Sequence, residues 1–478
     1  MEMERFLMLQ RVVCVGVVLL EAAACGAVAD SVTLVSRTSD GKPPSAPVTA
    51  VAISRDGNVI GFASKASNIA ADGTGASGAY VFTRPDGRLV RLDASVQGAN
   101  TSSKGLALSP DGRYIALVTS AGEVYLHDLS TKTTEPIALN EPGPMGSCSS
   151  EIAVSREASF IAMTAPAPFI SLEKPQVWLM DRASGSVSAI SLDKNNQPAG
   201  ASSVVASITP DGRYVLFLSD ATDLQGAPSN GARQVYRYDR VSDKIELVSL
   251  GADGKPARSG CTAAAISDDG SLVAFISRDD ALVSGDANKS ADVFVRDLRA
   301  KTTQRCTTVP EGVEPASVAL SGDGKRVFFL SRSSALPGTG GRGAANVYCY
   351  SRTDKSTRCV SANPAGVRAD GKCAFPVADA TGNVCAFLSD APSLGAGGVA
   401  GVFVSEPAAS ANVGQPAAGD KELRGRLDLN GDGKLDQLDV DALVKQIGKG
   451  DLHYDLNGDG AVDLRDMNLL LQHLDSQG

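Results

Sequence analysis

Short apolar runs, each closed by a polar turn and followed by a second apolar run, recur along most of the chain. The phrases "ISRDGNVIGFAS", "LSPDGRYIALVTS", "ITPDGRYVLFLSD", "ISDDGSLVAFIS" and "LSGDGKRVFFLS" share one pattern, with "VSREASFIAMTA" and "VADATGNVCAFLS" as weaker copies. The turns centre on Asp56, Asp111, Glu157, Asp211, Asp269, Asp323 and Thr381, spaced 46 to 58 residues apart. Glycine after the aspartate tolerates the positive φ that a tight reversal needs, so each phrase predicts a β-hairpin. A third apolar phrase follows in every unit: "EVYLHDL", "QVWLMDR", "QVYRYDR", "DVFVRDL", "NVYCYSR", with "AYVFTR" and "GVFVSE" as variants. A fourth strand returns in most units, as in "KIELVSL" and "TQRCTTV". Four strands per unit at a period of this length predict an all-β, radially repeated array, a β-propeller.

The third strands predict seven blades; a six-bladed ring is the alternative, and it would leave one unit outside. The last unit stops after its third strand, at "GVFVSEPAA", whereas the stretch from Ser31, "SVTLVSRTSDGKP", matches the fourth strand and exit loop "IELVSLGADGKP". Val32 to Ser36 are therefore expected to complete the last sheet and close the ring. On the S-x-D-G hairpin and the D-V-[FY]-x-x-D third strand, residues 31 to about 405 resemble the TolB-like, WD-repeat-like propellers of exported bacterial proteins. The resemblance implies a fold and leaves the function open.

The N-terminus, "MEMERFLMLQRVVCVGVVLLEAAACGAVAD", carries an apolar run from Val12 to Leu20 that is too short to span a bilayer. Arg5 and Arg11 precede it, small residues follow, and Ala27-Val28-Ala29 suits cleavage before Asp30. Residues 1–29 are thus expected to be a signal peptide, with Met8 as an alternative start and Cys25 as an alternative lipidation site. The mature chain is expected to be secreted or held at the cell surface, without a transmembrane segment. Seven cysteines then remain, at 148, 261, 306, 349, 359, 373 and 385, an odd number. Cys359 and Cys373 bracket a loop, and Cys349 and Cys359 face each other across a predicted hairpin; the two pairings exclude one another.

A different pattern occupies the C-terminus. "DLNGDGKLDQLDVDALVKQI" and "DLNGDGAVDLRDMNLLLQHL" each place oxygen-bearing side chains at positions 1, 3, 5, 9 and 12 of a loop. These are Asp428, Asn430, Asp432, Asp436 and Asp439 in the first, and Asp455, Asn457, Asp459, Asp463 and Asp466 in the second. Position 7, Lys434 or Ala461, would add its backbone carbonyl. Many hard oxygen ligands around a glycine bend, Gly433 or Gly460, suit Ca²⁺. Each loop runs into a predicted helix, lined by Leu443, Val444 and Ile447 in the first and by Leu470, Leu471 and Leu474 in the second. No helix leads in, and position 12 is Asp where an EF-hand has Glu. On these features residues 427–474 resemble a type I dockerin, which implies two calcium ions and a cohesin-type protein partner. Dockerins use small hydroxyl residues at positions 10 and 11 to help contact that partner. Here Gln437-Leu438 and Leu464-Arg465 stand there, so the partner surface departs from the standard one.

The expected organisation is a signal peptide (1–29), a propeller (30–405), a linker rich in Ala, Gly and Pro (406–426) and a small all-α dockerin (427–478). A net charge of −9 argues against a nucleic-acid partner. The channel-lining strands, among them "TAVAIS", "GLALS" and "TAAAIS", are small, apolar or hydroxylic, whereas acid–base catalysis needs a placed carboxylate or imidazole. Glu151 and Asp379 stand near strand ends as turn caps. Of the three histidines, two, His453 and His473, fall in the dockerin, and His127 lies on a third strand. Asp286, Asn288 and Asp292 in "SGDANKSAD" offer oxygen to a cation, or form a polar turn. The reading that results is a tethered, non-enzymatic binding module with a propeller ligand of unknown class, polysaccharide or protein. The alternative is a secreted polysaccharide-degrading enzyme with acids in its loops.

Overall fold

A computed structural model of the protein describes residues 30–38, 40–69, 78–92, 104–137, 148–167, 172–228, 230–307, 309, 312–313, 317–341, 343–407, 429, 437–446, 454 and 462. The expected leader, all but two residues of the expected linker, and every expected calcium ligand except Asp439 lie outside them. The chain divides into two compact units, Met1–Ala408 and Ala409–Gly478.

Unit one is a seven-bladed β-propeller of four-stranded antiparallel sheets. Blade 4 shows the plan: Ser203–Ile208 pairs with Tyr214–Ser219, which pairs with Gln234–Asp239, which pairs with Lys244–Leu247. Blades 1 to 3 and 5 to 7 begin with innermost strands Val48–Ile53, Gly105–Leu108, Ile152–Val154, Cys261–Ile266, Val318–Leu320 and Cys373–Ala378. Among the described residues no helix is long and apolar enough to cross a membrane.

The turn chemistry explains why these hairpins form. In blade 1 the Ser54 hydroxyl accepts the Val59 N–H at 2.9 Å and donates to the Asp56 carboxylate, whose Oδ1 also accepts the Asn58 N–H. Ser109, Ser155, Thr209, Ser267 and Ser321 accept the equivalent N–H in blades 2 to 6. In blade 7 the carboxylate of Asp379 replaces it, accepting the Val384 N–H. Six of the seven turns put glycine at the left-handed position, and blade 3 instead holds Glu157 and Ala158 there at φ of 55° and 52°. At Gly212, φ is +69°, and a Cβ would lie 2.3 Å from the Phe160 ring of the preceding blade.

The core lies in the wedges between sheets. Ala162, Val177 and Leu179 of blade 3 pack against Val205, Phe217 and Tyr236 of blade 4. Within five blades an aromatic of the second strand stacks on its cross-strand partner in the third, from Phe62 on Tyr80 to Phe387 on Phe403. A polar latch recurs at the start of the third strand. Ser249 on the exit from blade 4 accepts the Val235 N–H and donates to Gln234, and Ser191, Thr307 and Ser361 do the same in blades 3, 5 and 6.

The N-terminal strand closes the ring as its sequence predicts. Ser31–Leu34 pairs antiparallel with Gly401–Glu406, setting Val32 opposite Ser405 and Leu34 opposite Phe403. Ser36 then takes the latch position, accepting the Val402 N–H at 2.8 Å.

Two expectations need correction. All seven cysteines of the described residues are free thiols. Cys349 does not face Cys359: the register sets Tyr348 opposite Cys359 and Cys349 opposite Arg358, one residue out. Alternation along the strand then puts the two thiols on opposite faces of the sheet. In unit two, the helix Gln437–Val444 buries Val440 and Leu443 but leaves Val444 half exposed, so Val444 is not on the buried face.

Candidate functional site

The innermost strands enclose an axial channel of about 520 Å³, walled by small and aliphatic side chains such as Ala52, Ala107, Ala206, Ala264 and Ala319. Arg55 and Lys104 are the charged residues of that wall. Lys104 precedes the blade 2 strand and Arg55 follows the blade 1 strand, so the two cations mark opposite ends.

At the hairpin end the chain builds a collar. The residues that follow each turn-capping side chain, Arg55 in blade 1 through Ala380 in blade 7, stand around the axis and are linked by backbone bonds. The Arg55 N–H donates to Pro110, Arg156 to Pro210, Asp268 to Gly322, and Ala380 back to Arg55, at 2.7 to 2.9 Å. Pro110 and Pro210 have no N–H to pass on. From blade 2 to blade 3 the Asp111 carboxylate instead accepts the Glu157 N–H. Across the ring, Arg55 Nε of blade 1 lies 2.9 Å from Asp268 Oδ1 of blade 5. Blades 1 and 5 are not neighbours in either direction, so this ion pair spans the axis. Burial pushes the Asp268 carboxyl up, against the pull of Arg55 and then Arg156.

Towards the other end the wall carries Phe375. This residue is half exposed and holds a left-handed φ of 49°, beside a register shift in the blade 7 hairpin. For a bulky residue that conformation costs on the order of 1–3 kcal/mol, and such strain tends to gather at functional sites.

Asp379 is confirmed as a turn cap. Glu151 is exposed and accepts from the Ser150 hydroxyl. Around Asp286 and Asp292 the structure places an arginine where a cation was conceivable. The Arg305 guanidinium lies 3.1 Å from each carboxylate, and both are almost wholly buried. Among the described residues no group of three His, Cys, Asp or Glu side chains converges as a metal site would require. His127 is buried, with Nδ1 2.7 Å from the Thr134 hydroxyl. Trp178 packs between blades 2 and 3 and donates to the Ala165 carbonyl.

Of the expected calcium ligands, only Asp439 can be placed. Its carboxylate is fully buried, and Oδ1 accepts the Leu429 N–H at 2.8 Å. Position 12 thus reaches back to position 2 of the same loop. Val462, position 8 of the second loop, is buried.

Sequence reasoning missed the collar pair and Phe375. A signal for the pair was present: the x of the S-x-D-G phrase is Arg in blade 1 and Asp in blade 5. No comparable signal marked Phe375, whose role follows from a bulge.

No protein-family model matches the chain, and no curated protein matches it. Solved structures do. The chain is 14% identical to oligogalacturonate lyase from Vibrio parahaemolyticus, covering 79% of this chain and 97% of that one at a TM-score of 0.52. An oligogalacturonate lyase in complex with manganese is 16% identical, with 79% and 91% covered and a TM-score of 0.50. A protein assigned as TolB from Agrobacterium tumefaciens is 15% identical, with 59% and 86% covered and a TM-score of 0.40. At such identities the likeness to the lyases is one of fold.

Proposed function

We propose that the protein is an exported binding protein whose propeller takes a ligand at the Phe375 end of its axial channel, and whose C-terminal unit docks with calcium on a cohesin-type partner. The carrying observation is the channel itself. Its wall of small residues offers shape to a ligand and Lys104 offers charge, while the carboxylate at the hairpin end, Asp268, is engaged by Arg55. Strain at the exposed Phe375 agrees with a contact site.

The tether rests on the two Asp-rich loops, and the placed residue fits it. A buried position-12 carboxylate that hydrogen-bonds inside its own loop suits a loop organised around a hard cation. In this reading one ion is held by Asp428, Asn430, Asp432, Asp436 and Asp439 with the Lys434 carbonyl. The other is held by Asp455, Asn457, Asp459, Asp463 and Asp466 with the Ala461 carbonyl. Bound calcium supplies fold stability to these loops and no catalytic step. Export would follow from removal of residues 1–29, or from lipidation at Cys25.

The fold likeness to the lyases favours a second reading, a secreted polysaccharide-degrading enzyme with loop acids. A glycan array with a parallel reducing-sugar assay separates the two. Glycan retained without product supports the binding protein. Product that disappears on changing one loop acid overturns it.

A further inference from the structure

Each joint between neighbouring blades is sealed near the hairpin face by two residues. One opens the second strand of the first blade, and the other follows the third strand of the next. At the joint of blades 2 and 3, Arg182 lies 5.0 Å from the Tyr114 ring centre; at blades 3 and 4, Arg240 lies 4.0 Å from that of Phe160. Tyr214 seals blades 4 and 5 under Arg237. At the next three joints these positions hold Arg352, which bonds the Gly324 carbonyl of its own blade, Arg326, which bonds the Thr381 carbonyl across the joint of blades 6 and 7, and Arg84, which pairs with Glu406 across the joint of blades 7 and 1. The joint of blades 1 and 2 alone has neither an arginine nor an aromatic at these positions. It carries Val59 and Leu129, half-buried against Val81 and Leu92.

A cavity of about 310 Å³ opens there, at the lower end of the range for small-molecule sites. Its floor is Val81, Leu92, Leu129 and the buried His127. Among the described residues Arg88, Arg91 and Lys132 stand in its lining, against a single carboxylate, Asp86. Asp86 Oδ1 already accepts the Arg88 N–H at 3.2 Å.

We propose that this inter-blade cavity is a binding site for a small amphipathic carboxylate, a medium-chain fatty acid in chemical class. The chain lies on the aliphatic floor, which gains from removing apolar surface from water. The carboxylate meets the basic residues, where charge-assisted hydrogen bonds are the stronger kind. The site is separate from the axial channel and does not depend on the tether.

The test uses the full-length protein, with sodium octanoate as probe in titration calorimetry and 1-octanol and acetate as controls. Octanoate is expected to bind and to raise the thermal midpoint. Octanol should bind at least about tenfold more weakly, for want of the charge, and acetate should not register. Leu129→Arg, which installs the residue found at that position in blades 1, 3, 4 and 6, should fill the cavity and abolish octanoate binding. Arg88→Glu, at an exposed position, reverses one rim charge without touching the core, and should weaken octanoate about tenfold or more while leaving octanol unchanged. Absence of octanoate binding to the wild type at millimolar concentration overturns the site. Unaltered binding in a folded Leu129→Arg or in Arg88→Glu overturns it equally, and octanol binding as tightly as octanoate overturns the carboxylate.

Discussion

Single side chains decide how each hairpin of this ring holds, and some do so through charge. Asp239 closes the third strand of blade 4 and takes a two-pronged bond from Arg213, with nitrogen–oxygen distances of 3.1 and 3.0 Å. The guanidinium holds the Asp239 carboxyl down at about 2, against partial burial, from an ordinary value of 3.8. Asp128 and Arg113 repeat the pair in blade 2, also with a lowered carboxyl. A carboxyl with a depressed folded value stabilises the fold fully above its unfolded value. That contribution is lost as pH falls from about 4 towards 2. Asp239→Asn should therefore lose less thermal midpoint than the wild type over that acid window. Near neutrality the change should be small, because the pair is partly exposed to solvent. Parallel pH profiles of midpoint for the two proteins would show that the pair does not titrate in this way. Residues of this class were legible in the sequence wherever they recur as a column, such as the turn serines and aspartates. Phe375, Arg305 and the Val59–Leu129 gap were not. Their meaning comes from a bulge, a buried ion triad and a comparison of joints, which depend on which faces meet in space.

At the level of strands, the repeat phrase was enough to place each sheet, because alternation and turn chemistry agree. It failed by one residue at Cys349 and Cys359, where facing pairs depend on turn length rather than on pattern. The strand that closes the ring offers the sharper test. The Ser36 hydroxyl is the acceptor for the buried Val402 N–H, and Ser36→Ala leaves that donor without it. A cost of about 1–3 kcal/mol is expected, read as a shift of the denaturation midpoint at constant slope. Removing residues 31–36 altogether exposes the edge of blade 7, with aggregation or loss of cooperative unfolding as the result. A truncated chain that unfolds at the wild-type midpoint would show that the pairing with Gly401–Glu406 contributes nothing.

Across the whole molecule the two units differ in what stabilises them. The propeller buries aliphatics in every wedge and aromatics in most, whereas the sequence of unit two sets four Asp in each of two twelve-residue stretches, the calcium loops of the proposed reading. Those charges repel without a counter-ion, so metal uptake and folding of unit two should be coupled. Chelator added to the full-length protein should abolish binding of its partner and remove the helical part of the circular dichroism signal, with the β signal intact. Asp439→Ala should reproduce half of that effect by damaging the first loop alone. An unchanged spectrum in chelator, with no heat on adding Ca²⁺, would remove the calcium tether. The spacing of these acids was plain in the sequence because the proposed ligands of each ion fall within one twelve-residue stretch.

The Arg55–Asp268 pair lies across the ring like a bar across a pipe. A polymer cannot be threaded through such a ring and processed along its length. On the proposed reading a ligand of the channel would enter and leave by the Phe375 side, so a long one would be recognised at its terminus and not in its middle.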